Sequence, residues 1–398
     1  PEDDERGRLE AELLAARGDA LRLVQGTAAP DTGAVYRRAR ELSEQLSARP
    51  HRGQVASPAL SKGFYGECLY HYHRAELREA HALALRLLET STRDGDAISR
   101  ELGLEMAALT SFSLGALASA RGYFEQFAAP PKSNGTPEPV VSRRASSSDI
   151  YLACTMVLLG YPAQARERTE HAIAAAEQTC EPFALALCVG TSLYLFALLR
   201  DQVRVRQLAE RLRAAAEAAY MPHWASMADW FLALVMLNET DVGKSISRMR
   251  AGIETSLDQG CMLEIPFYLA LLAEALLASG RAGEASVIID EALERSRRTA
   301  ERWVEPELYR RRAQLRLTAP SKDLAGATGD LVRALETARA MDARFWELRA
   351  GRDLARLWAE QGERQKAYDL LAPVYGWFTE GFDTADLEEA KALLDELG

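Results

Sequence analysis

Cysteine is scarce in this chain. The five present, Cys68, Cys154, Cys180, Cys188 and Cys261, are scattered and never form a CxxC pair. An odd, unpatterned set argues against a disulfide framework or a thiolate zinc site and fits a reducing, cytoplasmic compartment. Each lies in an apolar stretch and reads as a small core residue. No apolar run reaches the roughly 18 residues that a membrane span needs. Basic excess is missing too. The net charge is −10 and the pI about 5.4, which argues against nucleic acid and anionic membrane surfaces as partners. Strict alternation of apolar and polar residues is absent, so β structure has no support. The opening "PEDDERGRLE" has no apolar core and does not read as a signal peptide. It also lacks an initiator Met, which points to a chain cut from a longer polypeptide.

What is present is a beat. "LLGYPAQARERTEHAI", "LLASGRAGEASVIIDEAL" and "WAEQGERQKAYDLL" each place Gly, four residues, then Ala after an apolar helical run: Gly160/Ala165, Gly280/Ala285 and Gly362/Ala367. "FSLGALASARGYF" adds Gly115/Ala120. Weaker turns fill the intervals near 80, 205, 245 and 327, so the period is about 40 residues. A Gly at such a turn takes φ > 0 at low cost, and the Ala lets a second helix approach the first closely. Small residues recur seven before the Gly (Ala108, Ala153, Ala233, Ala273, Ala355) and seven after the Ala (Ala172, Ala292, Ala334). Pro182, Pro222, Pro266 and Pro306 announce new first helices. The expected fold is all-α, a right-handed superhelical solenoid of antiparallel helix pairs in which each repeat touches only its neighbours. It resembles the tetratricopeptide repeat (TPR), with longer helices or connections. Helices near 8–24 and 33–48 form its irregular first repeat.

The expected organisation is TPR-like repeats over 1–128, a flexible Pro/Gly/Ser-rich loop over 129–148, further repeats over 149–382 and a capping helix over 383–398. The cap, "TADLEEAKALLDEL", has Thr384 or Asp383 as N-cap and can turn Leu387, Leu393, Leu394 and Leu397 onto the last repeat.

The C-terminal stretch "ELRAGRDLARLWAEQGERQKAYDLLAPVYGWFTEGFDTADLEEAKALLDEL" resembles the end of a large bacterial family. Its members carry an output domain, a STAND-type ATPase and a long TPR-like region. "MPHWASMADWFLAL", "PFYLALLAEALLASGRAGEA" and "VQGTAAPDTGAVYRRARELSEQL" extend the likeness over nearly the whole chain. The resemblance implies a noncatalytic sensor or scaffold. It implies as partners a protein or peptide in a concave groove and the upstream ATPase and output domain, such as a class III nucleotide cyclase or a transcription regulator.

No catalytic residue, metal ligand or cofactor site stands out. "NETDVGKS" matches the end of a phosphate loop at Gly243-Lys244-Ser245, but Asn238 replaces the required first Gly, and Glu239 and Asp241 would put negative charge in the cradle. His71, His73 and His81 are badly spaced on a helix for one metal. "RRASSS" has the look of a kinase site at Ser146 within a composition common to loops. An alternative function, a small-molecule or enzymatic pocket inside the superhelix, has no nucleophile–base pair behind it.

The entries to successive first helices are richer: His223 and Trp224; Glu264, Phe267 and Tyr268; Trp303, Glu305, Tyr309 and Arg310; Phe345, Trp346, Glu347 and Arg349. Glu264, Glu305 and Glu347 recur at about 40 residues and are expected to stack along one edge, held by helix N-terminal dipoles. Together these residues are the candidate groove for a peptide or basic helix. Tight packing is the competing reading, and Arg310, Arg311 and Arg349 also suit buried carboxylates.

Overall fold

The computed structural model describes residues 2–47, 58–94, 96–128, 147–178, 181–237, 241–318 and 321–398. Among them are nineteen helices and no strand. The first half comprises α1 (Glu2–Gln25), α2 (Pro30–Ser47), α3 (Pro58–His73), α4 (Leu77–Asp94), α5 (Ala97–Ser113), α6 (Leu117–Ala128), α7 (Ser147–Leu158), α8 (Pro162–Gln178), α9 (Pro182–Leu198) and α10 (Gln202–Ala218). The second comprises α11 (Pro222–Val235), α12 (Val242–Asp258), α13 (Ile265–Ala278), α14 (Ala282–Thr299), α15 (Glu305–Thr318), α16 (Leu324–Ala340), α17 (Arg344–Glu360), α18 (Arg364–Tyr375) and α19 (Ala385–Leu397). Nine antiparallel pairs run from α1/α2 to α17/α18, and first helices also pack on the first helices of adjacent pairs. This is the TPR-like solenoid that the 40-residue period predicts. Residues 129–146 of the expected loop, with Ser146, lie outside the described residues; α7 already begins at Ser147.

The turn within a pair explains the beat. Gly160 has φ +97, its amide bonds to Val157 O, and Tyr161 N reaches back to Met156 O at 2.8 Å. This six-to-one closure satisfies carbonyls that a helix end leaves open. Ala75 and Arg200 adopt the same left-handed conformation without being Gly (φ +54 and +59), at a cost of roughly 1–2 kcal/mol each. That is why these repeats are faint in sequence. The small residues fall where the period puts them: Ala108, Ala120, Ala153, Ala165, Ala285, Ala292, Ala334, Ala355 and Ala367 are fully buried.

At the C-terminus, α19 packs on α17 and α18 and buries Leu387, Leu393 and Leu397, with Leu394 half-buried. Thr384 holds the N-cap position, yet its hydroxyl donates to Gly381 O at 2.8 Å rather than capping the helix.

Candidate functional site

The candidate site is the axis of the superhelix, and one chain separation organises it. Met262 N donates to His73 O, and Arg302 N donates to Ser113 O, each at 2.8 Å. Both pairs are 189 residues apart, as are Arg200 and Glu389, whose ion pair is 2.9 Å long. The acceptors follow a rule. His73, Ser113 and Leu198 are the last residues of α3, α5 and α9, where helices leave carbonyls unsatisfied. Donors from one superhelical turn further on satisfy them; at Leu198 O the donor is Arg349 Nη2, at 2.5 Å. About 189 residues therefore make one turn, and the second turn seats on the first. Repeats touch repeats a full turn away, and α7 contacts α17. The expectation of nearest-neighbour contacts alone does not hold.

A C-terminal strap closes the same seam. Trp377 packs edge-on against Tyr161, with ring centroids 5.7 Å apart, and lies under the Arg344 guanidinium. Glu380 Oε1 accepts the amides of Ala163 and Gln164, each at 3.1 Å. That carboxylate caps the N-terminus of α8 from more than two hundred residues away, where the helix dipole favours an anion. "YGWFTEGF" therefore both ends the array and ties it to its middle.

Inside the seam the predicted aromatics pack on one another. Trp303 lies between Phe112 and Phe267, with centroids 5.1 and 5.2 Å away. Phe267 continues to Tyr194, and Tyr268 meets Trp230 edge-on. Phe345 and Trp346 are fully buried. Trp346 Nε1 donates to Trp303 O at 2.8 Å, and Arg349 stacks over both rings of that pair. Tyr309 is buried beneath Arg312 and Arg333. Trp224 is half-buried against Phe183, and His223 is exposed. The residues expected to line an open groove thus form a packed interior. The cavity among them, between Leu198, Phe267, Leu271, Arg311 and Trp346, measures about 20 Å³, room for about one water.

The charges follow the second reading of the arginines. Arg310 is buried and grips Glu307 with two bonds of 2.6 and 2.7 Å and Asp353 with one of 2.7 Å. Arg311 bridges Glu307 and Glu274 at 2.8 and 2.7 Å. Arg349 takes both oxygens of Asp386, at 2.9 and 2.7 Å. Arg352 contacts Asp386, Asp353 and Glu389. Charge-assisted, bidentate geometry is what lets such groups stay ionised when buried. The guanidinium charges hold Glu307 and Asp386 below the usual carboxylate range, and Asp353 at about 2, against the opposing effect of burial.

The three glutamates expected on one edge do not share a row. Glu264 lies in the turn before α13, Glu305 opens α15 and Glu347 is the fourth residue of α17. One residue of shift rotates a helical side chain by about 100°, so similar spacing did not bring similar direction. Glu305 pairs with Arg302 at 3.2 Å, and Glu347 with Arg339 and Arg344 at 2.6 and 2.8 Å. Glu264 is no dipole-stabilised anion. It is buried in the left-handed conformation (φ +64), and burial raises its carboxyl pKa.

Sequence reasoning missed Glu301, Glu307, Asp353, Asp386, Tyr151 and Tyr194. Most of their partners lie 34 to 151 residues away, beyond any local spacing rule. The one available signal was charge within apolar helix faces, as in "RFWELRAGRDLARLW". The histidines separate as their spacing requires: His71 pairs with Glu76 at 2.5 Å, His81 with Thr110 at 2.8 Å, and His73 faces Cys261. At the apparent phosphate loop, Asp241 Oδ1 occupies the amides of Gly243 and Lys244 at 2.9 and 3.4 Å. The cradle is filled by the protein's own carboxylate.

No protein-family model matches the chain, and no curated protein matches it by sequence. Solved structures do match. A Rap protein complexed with competence and sporulation factor has a TM-score of 0.61 at 10% identity, covering 98% of this chain and 99% of that one. This likeness carries the fold. Aspartyl phosphate phosphatase F from Bacillus subtilis gives 0.45 at 12% identity, over 92% and 93% of the two chains. A STAND signal-transduction ATPase with a tetratricopeptide repeat sensor, from Pyrococcus horikoshii, gives 0.39 at 12% identity. That match covers 93% of this chain and 55% of the other.

Proposed function

We propose that this chain is a noncatalytic sensor and scaffold whose superhelix recognises a protein or peptide and regulates an upstream STAND ATPase and its output domain. The output is a nucleotide cyclase or a transcription regulator. The observation that supports the reading is the seam. Successive turns are joined by backbone hydrogen bonds and buried ion pairs, which a ligand offering the same polar groups can replace. A ligand shifts such an equilibrium only by binding one state more tightly than the other. The Rap protein of the same fold, crystallised with a signalling factor, supports recognition by this architecture. The C-terminal sequence resemblance supports the STAND context.

The test uses the parent polypeptide. Its ATP hydrolysis is compared between the native form and an Arg349→Ala form, which loosens the seam at Leu198 and Asp386. A changed basal rate is the expected result. An unchanged rate in a polypeptide that hydrolyses ATP would overturn the regulatory role, and a parent with no ATPase would remove the STAND assignment.

A further inference from the structure

Two buried acids sit at the seam with no counter-charge. Glu301 accepts the Glu264 amide on both carboxyl oxygens, at 3.1 Å each, and Trp303 Nε1 at 3.0 Å. Glu264 in turn accepts the hydroxyl of Tyr151, which belongs to the turn below. The amides that cross the seam, those of Met262, Leu263, Arg302 and Trp303, lie within two residues of these acids. A change of charge here acts directly on the contact between turns.

The groups facing the pair are neutral. From α3 come Tyr72 and His73, from α7 Tyr151 and Cys154, and from α9 Tyr194. The entry to α13 adds Cys261 and Tyr268. Burial raises the tyrosines and thiols and lowers His73 to about 4, so none carries charge between pH 6 and 9. Among the described residues neither acid has an ion-pair partner. Two adjacent buried carboxylates without a cation are unfavourable together, both through desolvation and through repulsion.

We propose that Glu264 and Glu301 are a proton-held lock between superhelical turns. With both carboxyls protonated the second turn seats on the first. When those protons are lost to solvent base, the turns part here and the axis opens. The lock is a property of this chain and does not depend on the sensor reading.

Burial, reinforced by Glu264, pushes Glu301 from its ordinary value of 4.5 to about 8. The closed state therefore binds a proton that the open state releases. Closure is complete below the ordinary value and weakens as pH rises through about 8. Within that window each pH unit changes the open-to-closed ratio by up to about tenfold per group.

The experiment is hydrogen exchange with mass-spectrometric readout over the peptides containing Met262–Leu263 and Arg302–Trp303, from pH 6 to 9, corrected for intrinsic exchange. Native protein is expected to lose protection by about tenfold or more across this range, and Glu301→Gln, which cannot ionise, to lose little. Flat protection in the native chain, or the same loss in Glu301→Gln, overturns the lock. Should the variant not fold, difference infrared spectra of the native chain decide. A protonated-carboxyl band that vanishes in step with protection supports the lock; protection lost without that band changing overturns it.

Discussion

The amide of Arg302 lies 2.8 Å from the carbonyl of Ser113, across a separation of 189 residues. That bond converts a repeat array into a two-turn coil. An open solenoid gains stability as a sum of repeats and nearest-neighbour interfaces. Here each repeat near the seam is also held by one a turn away, so unfolding is expected to be more cooperative than in an open array.

Arg349 is the seam's main cation. Arg349→Ala leaves Asp386 buried beside the less well placed Arg200 and Arg352, each at 3.4 Å. The expected loss is about 3 kcal/mol, the low end for breaking a buried pair. The double variant Arg349→Met/Asp386→Leu is expected to recover most of it. Urea denaturation of both variants measures this; equal losses would show that the pair holds no buried charge.

Gly160 and Gly280 have the same left-handed backbone and different surroundings. A Cβ at Gly160 would stand 2.3 Å from Trp377 Cζ3, whereas one at Gly280 would meet nothing within 4 Å. Gly280→Ala is expected to cost about 1 kcal/mol from backbone strain alone. Gly160→Ala is expected to cost a further 1–3 kcal/mol or so by pushing off the strap, and to raise Trp377 accessibility to a fluorescence quencher. Equal costs would mean that the strap is not seated on the α7–α8 turn.

Acid acts on the seam in the sense opposite to base. The carboxylate of Asp353 is held at about 2 by Arg310 and Arg352. A depressed value adds stability above the ordinary carboxylate range, and that stability is lost as pH falls through about 2. For this group the loss approaches roughly 2 kcal/mol. Chemical denaturation at pH 6, 4 and 3 should show stability declining only below about 4, and Asp353→Asn should flatten that decline.

Asp241 is a helix cap in the place of a phosphate. Asp241→Ala is expected to cost about 1 kcal/mol and to create no nucleotide affinity, since the first Gly of the motif is absent. Thermal shift with and without ATP checks both; a stabilising response to ATP in the native chain would restore the phosphate-loop reading.

The sequence alone determined the helix pairs, their 40-residue period and the small residues at their crossings. Those features depend on contacts a few residues apart, where spacing translates directly into direction. Gly160 and Ala165 could be read because a left-handed turn and a close helix crossing each demand a residue type. Nothing local says that about 189 residues complete a turn, because that number sums small rotations over every repeat. Whether Trp303 and Trp346 line an open groove or fill a closed one depends on that sum. So do the meeting of Arg349 with Leu198, the protection of Glu301 from every cation and the seating of Trp377 on Gly160. Only the tertiary structure decided them, since each joins residues that the chain itself keeps far apart.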